Sequence, residues 1–157
     1  MINSNINMTI YKPIGQIFDF VSTPENDSQW QYGTLASGRL SDTASILGSF
    51  FRSVGHSMGQ RAISTFEVTE YEPNRKYGFK SLSGPLNLRT SYTFEMEGNG
   101  TKINMSTQMD LIDSPQGNAN IFEKRIKKQF KENLALLKVI LETKRTQPVD
   151  STNLSAN

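Results

Sequence analysis

The sequence predicts an α+β fold in which a curved antiparallel sheet of about seven strands wraps one long C-terminal helix. Two patterns carry this prediction. Near the C-terminus, Phe122, Ile126, Phe130, Leu134, Leu137 and Leu141 recur every three or four positions, which makes one continuous apolar stripe on a helix. Before it, short runs with apolar residues on alternate positions are separated by Gly, Pro and Asn turn signals, the pattern of antiparallel strands joined by tight connections. A helix from near Ala119 to near Lys144 would be roughly 39 Å long at 1.5 Å per residue, and its one stripe lacks the apolar mass to form a core alone. It needs a concave partner, and the strands supply one.

In chain order, Ile2, Ile6, Met8 and Ile10 share one parity and Asn3, Asn5, Asn7 and Thr9 the other, as in a strand with one wet face. Pro13 suits the first turn of a helix, and Ile14, Ile17, Phe18 and Val21 space a short amphipathic one. Thr23-Pro24-Glu25 repeats the start signal and predicts a second short helix running toward Trp30. Strands near Thr34–Leu40 and Ser49–Val54 are weakly marked, because Ser, Thr and Gly are frequent there. Clearer strands follow at Arg61–Glu72, Lys76–Ser83, Asn87–Met96 and Lys102–Leu111, separated by Glu72-Pro73-Asn74-Arg75, Ser83-Gly84-Pro85 and Gly98-Asn99-Gly100. Consecutive strands joined by such short turns form an antiparallel meander. Asp113-Ser114-Pro115 leads into the long helix. One domain over residues 1–145 is expected, followed by a polar, disordered tail over 146–157.

Composition excludes several classes of function. At 157 residues, with 36% apolar and 20% charged residues, the chain is a globular domain, and a net charge of +2 gives no argument for DNA or an anionic membrane. There is no cysteine and His56 is the only histidine, which removes disulfides, thiolate zinc sites and multi-histidine centres. Neither a metal nor another cofactor is expected. No apolar run approaches the ~18 residues of a membrane span, and MINSNINMTIY has neither the basic nor the apolar region of a signal peptide, so a cytoplasmic protein is expected. A homodimer stays open.

Several segments resemble a known family. Ile10-Tyr11-Lys12-Pro13, then Ile17-Phe18-Asp19-Phe20-Val21, then Pro24-Glu25-Asn26 ahead of Trp30, resemble the opening of the START-like, Bet v 1-like (SRPBCC) superfamily, in its polyketide cyclase/dehydrase-like branch. The stretch from Phe66 to Arg75, FEVTEYEPNR, is more similar still, as is Gly100-Thr101-Lys102-Ile103. The resemblance runs from about Ile6 to Glu142. It implies the helix-grip fold and a deep cavity, between sheet and long helix, for a hydrophobic or amphipathic small molecule. It implies no shared catalytic set, because the matching residues are turn and packing residues.

Aromatic and Met walls interrupted by a few hydroxyls and amides are how small apolar ligands are held. On that ground the candidate ligand-binding residues are Phe66, Tyr77, Phe79, Thr90, Tyr92, Met105, Thr107, Met109, Phe122, Ile126, Phe130 and Asn133. Asn133 stands out because it lies inside the apolar stripe, where an unpaired amide would cost about 1–3 kcal/mol. Its partner is either the sheet or a ligand or water in the cavity. Arg52 and Arg61 are placed to meet a ligand carboxylate or to pair with Glu67 or Glu70 on the surface. His56, between Gly55 and Gly59, belongs at a hairpin tip or cavity mouth. The cations Lys124, Arg125, Lys127, Lys128 and Lys131 are expected on the solvated outer face of the long helix.

No G-x-S-x-G elbow or phosphate loop is present. Three readings of function follow. The first is binding of a lipid-like or polyketide-like aromatic molecule. The second is a cyclase or dehydratase, which requires a titratable pair such as His56 or Tyr92 against Glu67 or Asp110. The third is a protein- or RNA-interaction module using the basic helix face, which requires a nearly filled cavity.

Overall fold

The computed structural model describes residues 1–40, 44–57, 59–111 and 119–143. The expected tail from Thr146 and the Asp113-Ser114-Pro115 approach to the helix lie outside the described residues. The chain forms β1 (Ile2–Ile10), α1 (Ile14–Val21), α2 (Asp27–Trp30), β2 (Thr34–Arg39), β3 (Phe50–Ser57), β4 (Gln60–Glu72), β5 (Lys76–Ser83), β6 (Leu86–Glu97), β7 (Gly100–Leu111) and α3 (Ala119–Thr143). All seven strands make one antiparallel sheet in the order β1-β7-β6-β5-β4-β3-β2. The meander from β2 to β7 runs in sequence order, and β1 closes it by pairing with the last strand, Ile2 opposite Met109 and Ile10 opposite Thr101. This is the helix-grip architecture that the apolar stripe and the alternating strands predict.

Two elements differ from expectation. The second short helix is a 3-10 turn over Pro24–Asn26 that passes directly into α2, a single α-helical turn. Pro24 starts it as expected, but the connection to β2 at Thr34 leaves room for only one full turn after it. The weak strand near Ser49–Val54 extends to Ser57, through a glycine. Register with β4 from Phe50 opposite Glu67 to Ser57 opposite Gln60 holds it extended, and long-range pairing outweighs the low local propensity.

The concave face carries the core. Register shifts in β4 at Thr65/Phe66 and at Val68/Glu70 bend the sheet, as bulges do. Inside the curve, Phe18, Tyr92, Phe94, Ile103 and Met109 are buried together with Phe130, Leu134, Leu137 and Leu141 of α3. The far end of α3 is fastened by polar contacts as well. Lys138 Nζ donates to Thr9 O at 2.7 Å and to Glu142 at 2.6 Å, and Tyr11 N donates to the same Glu142 carboxylate at 2.8 Å. The C-terminal half of α3 is thereby held on β1, while its N-terminal half stands over the β3–β4 hairpin. That half faces an unfilled space.

Candidate functional site: a cavity between the β3–β4 hairpin and helix α3

The space is a cavity of about 950 Å³, partly open to solvent. Its cause can be read rung by rung. Phe51 lies opposite Phe66 on β3 and β4, and their rings stack at 5.0 Å. The next two rungs that line the cavity are Ser53 opposite Ser64 and Gly55 opposite Ala62. Small side chains on the same face cannot fill the gap to α3 that phenylalanines fill one rung away. Gly55 is required for a second reason, since a Cβ there would sit 2.1 Å from the Gly33 carbonyl oxygen. That carbonyl accepts a hydrogen bond from His56 N at 2.8 Å, so β2 and β3 come too close for any side chain.

The other walls are larger. Helix α3 contributes Phe122 and Ile126, the β5–β6 connection contributes Pro85, the start of β6 contributes Leu86 and Leu88, and Phe66 closes the inner end. Polar groups sit at the edges: His56, Arg125, Lys128 and Glu132 line the cavity as well, with Tyr32 exposed at the rim. Arg125 and Lys128 therefore correct the expectation of a basic face turned wholly to solvent. On α3, Arg125 is three residues after Phe122, Lys128 three after Arg125 and Glu132 four after Lys128, so the three run along one flank of the apolar stripe. Lys127 does point away, in an ion pair with Glu123 at 2.8 Å.

A hydrogen-bonded cluster lies beside the cavity. Asn133, 6% exposed, accepts from Tyr32 N at 3.1 Å and from Gln129 Nε2 at 3.0 Å, and donates to Gln31 Oε1 at 3.0 Å. Gln31 Nε2 reaches Tyr92 Oη at 3.5 Å. The Asn133 amide is thus satisfied by the segment that follows α2, neither by the sheet nor by an empty space. Tyr32 and Gln129 line the cavity, so the cluster adjoins it directly.

Of the twelve candidate residues, Phe66, Phe122 and Ile126 line this cavity. Thr90 and Thr107 are buried and bond each other, Oγ1 to Oγ1, at 3.1 Å across paired strands. Tyr77, Tyr92, Met105, Met109 and Phe130 are buried in the core and Phe79 packs against it, in ring contact with Phe51, Phe66, Tyr77 and Tyr92. Arg52 and Arg61 do not line the cavity. Glu67 pairs with Lys80 at 3.8 Å, Asp110 with the N-terminal amine at 3.3 Å, and neither His56 nor Tyr92 is joined to them.

Sequence reasoning missed the wall. Its signal was the inward parity Phe51, Ser53, Gly55 against Ala62, Ser64, Phe66, a taper from aromatic to almost nothing. Also missed was Asp27, whose carboxyl is pushed up to about 8 by burial, with the nearby Glu25 adding to it and the Ser37 hydroxyl opposing. Burial, then the Asp27 charge, raises both Tyr77 and Tyr92. Near them a smaller cavity of about 250 Å³ is lined by Glu25, Arg39, Tyr71 and Tyr77.

The comparisons agree with this geometry. The family described as polyketide cyclase / dehydrase and lipid transport matches residues 1–142, and the chain belongs to it. No curated protein sequence matches the chain. Among solved structures, a START superfamily protein from Mycobacterium smegmatis is similar at 16% identity and a TM-score of 0.70, covering 90% of this chain and 95% of that one. Ara h 8.0201 is similar at 12% identity and a TM-score of 0.68, covering 90% and 98%. The di-domain ARO/CYC protein BexL, of the BE-7585A biosynthetic pathway, is similar at 14% and 0.70, covering 90% of this chain and 47% of that one. At these identities the likeness is one of fold. No helix among the described residues is long and apolar enough to cross a membrane.

Proposed function

We propose that the protein binds a hydrophobic or amphipathic small molecule, lipid-like or polyketide-like, in the cavity between the β3–β4 hairpin and α3. The observation that carries this reading is the small-residue wall, Ser53, Gly55, Ala62 and Ser64, facing Phe122 and Ile126 across about 950 Å³. Ligand pockets run to roughly 300–1,000 Å³ and are walled by apolar side chains with a few placed polar groups. A domain whose role was confined to its outer surface would gain stability by filling that space, since packed interiors leave few voids. Membership of a family that includes cyclases, dehydrases and lipid transport supports the same class of ligand. The cyclase or dehydratase alternative would use the same cavity to fold a reactive chain, and binding precedes it in either case.

The experiment is a fluorescence titration with uncharged phenylnaphthylamine, on the wild type and on Ala62→Phe. Saturable binding near one site per chain is expected, with at least about tenfold weaker binding when the new ring occupies the wall. Non-saturable binding by the wild type, or equal affinity in a folded Ala62→Phe, would overturn the reading.

A further inference from the structure

The charges around the cavity are unequal. On α3, Lys127 pairs with Glu123 at 2.8 Å and Lys138 with Glu142 at 2.6 Å, whereas Lys124 and Lys131, which do not line the cavity, have no ion pair among the described residues. Arg125 and Lys128, which line the cavity, have no ion-pair partner among the described residues. Glu132 also lines it, four residues beyond Lys128 and well placed by sequence spacing to pair with it, yet no ion pair joins the two. Among the described residues the one acid lining the cavity is Glu132, against Arg125 and Lys128. Exposure differs around the wall too: Phe66 is buried and Leu88 and Ile126 are half-buried, whereas Arg125, Lys128 and His56 are exposed.

From this asymmetry we infer that the ligand is an anionic amphiphile, one acidic head (carboxylate, sulfonate or phosphate) on an apolar body, with Arg125 and Lys128 holding the head at the cavity mouth. The inference rests on the cavity being the ligand site, and adds the charge and orientation of the ligand. Arg125 presents a planar fork of donors that matches a two-oxygen acid head, and Lys128 adds a point charge beside it. An uncharged molecule of the same shape would meet the apolar walls and leave both cations without a partner. Glu132 opposes the acidic head and so limits affinity at this position.

Two probes of one skeleton separate this from simple apolar binding: anilinonaphthalene sulfonate and its uncharged parent phenylnaphthylamine, titrated in parallel at low and moderate salt. The wild type should bind the sulfonate several-fold more tightly than the parent at low salt, and the advantage should shrink as salt rises. Arg125→Gln with Lys128→Gln should weaken the sulfonate by about three- to twentyfold, the range for two partly exposed ion pairs, and leave the parent unchanged. Glu132→Gln should move the sulfonate the opposite way. All three positions are on the surface of α3, and equal melting temperatures verify that the variants fold. If phenylnaphthylamine binds and the sulfonate gains nothing, or the double substitution weakens both alike, the anionic head is wrong and the cavity reading stands. If neither probe binds, both fall together.

Discussion

The two halves of the concave face obey one rule and end differently. On β6 and β7 the inward residues are Thr90, Tyr92 and Phe94 against Ile103, Met105, Thr107 and Met109, all buried in one core with Phe18 of α1 and with Leu134 and Leu137 of α3. On β3 and β4 the same alternation brings in Ser53, Gly55, Ala62 and Ser64, and α3 spans a gap. Side-chain volume on the strands, together with α1 packed over β6 and β7, decides which half becomes core and which becomes cavity. The packed half supplies stability and the open half supplies a place to bind.

The largest expected effect tests that division. Phe94 is 4% exposed and meets Phe18 edge-on at 5.2 Å, so Phe94→Ala should destabilise by about 3–5 kcal/mol. Phe66 is equally aromatic but borders the cavity, so Phe66→Ala enlarges a void that already exists and should cost about half as much. Equal losses in urea unfolding would erase the distinction between the halves.

Outside both halves, on α2, a buried carboxyl makes stability depend on pH. Asp27 keeps its proton up to about pH 8 in the fold, whereas an unfolded aspartate gives it up near pH 4. Between those values the unfolded chain holds fewer protons than the folded one, so stability falls as pH rises through this window and levels off beyond it. Asp27→Asn should remove most of that slope, an effect of a few kcal/mol at the alkaline end, measured as unfolding midpoints across roughly pH 5 to 9. An unchanged slope in the variant would show that Asp27 is ionised in the fold.

At the seam between the halves, Asn133→Leu should destabilise by about 1–3 kcal/mol, because Tyr32 N–H and the Gln31 amide lose their partner in a buried place. Phenylnaphthylamine affinity should change less than twofold. A stable variant that binds the probe poorly would instead assign Asn133 to the ligand.

These contrasts also explain what the sequence made visible. β1 was legible from the parity of Ile2, Ile6, Met8 and Ile10, and α3 from its stripe, because each pattern is local and tied to one period. The cavity wall was not, since Ser53, Gly55, Ala62 and Ser64 read as weak strand; they become a wall only once Ser53 is known to face Ser64. Asn133 was recognisable as a buried amide in need of a partner, but that partner lies about a hundred positions earlier in the chain, after α2, and no spacing rule reaches so far. Arg125 and Lys128 were placed on the outer face because a helical wheel treats the flanks of a stripe as solvent. A gap beside the stripe makes them rim instead.

The pairing of β1 with β7 has a consequence for folding. Among the described residues β1 has its one strand partner in β7, Ile2 against Met109, so the pairing of Ile6 and Ile10 waits on a contact about a hundred positions away. The meander from β2 to β7 forms through neighbouring hairpins and can assemble first, whereas β1 and α3 add their contacts only when the chain ends meet, which places the slow, entropy-limited step of folding at that meeting. Without β7, β1 would be an unpaired strand of alternating apolar residues and asparagines, an edge open to association.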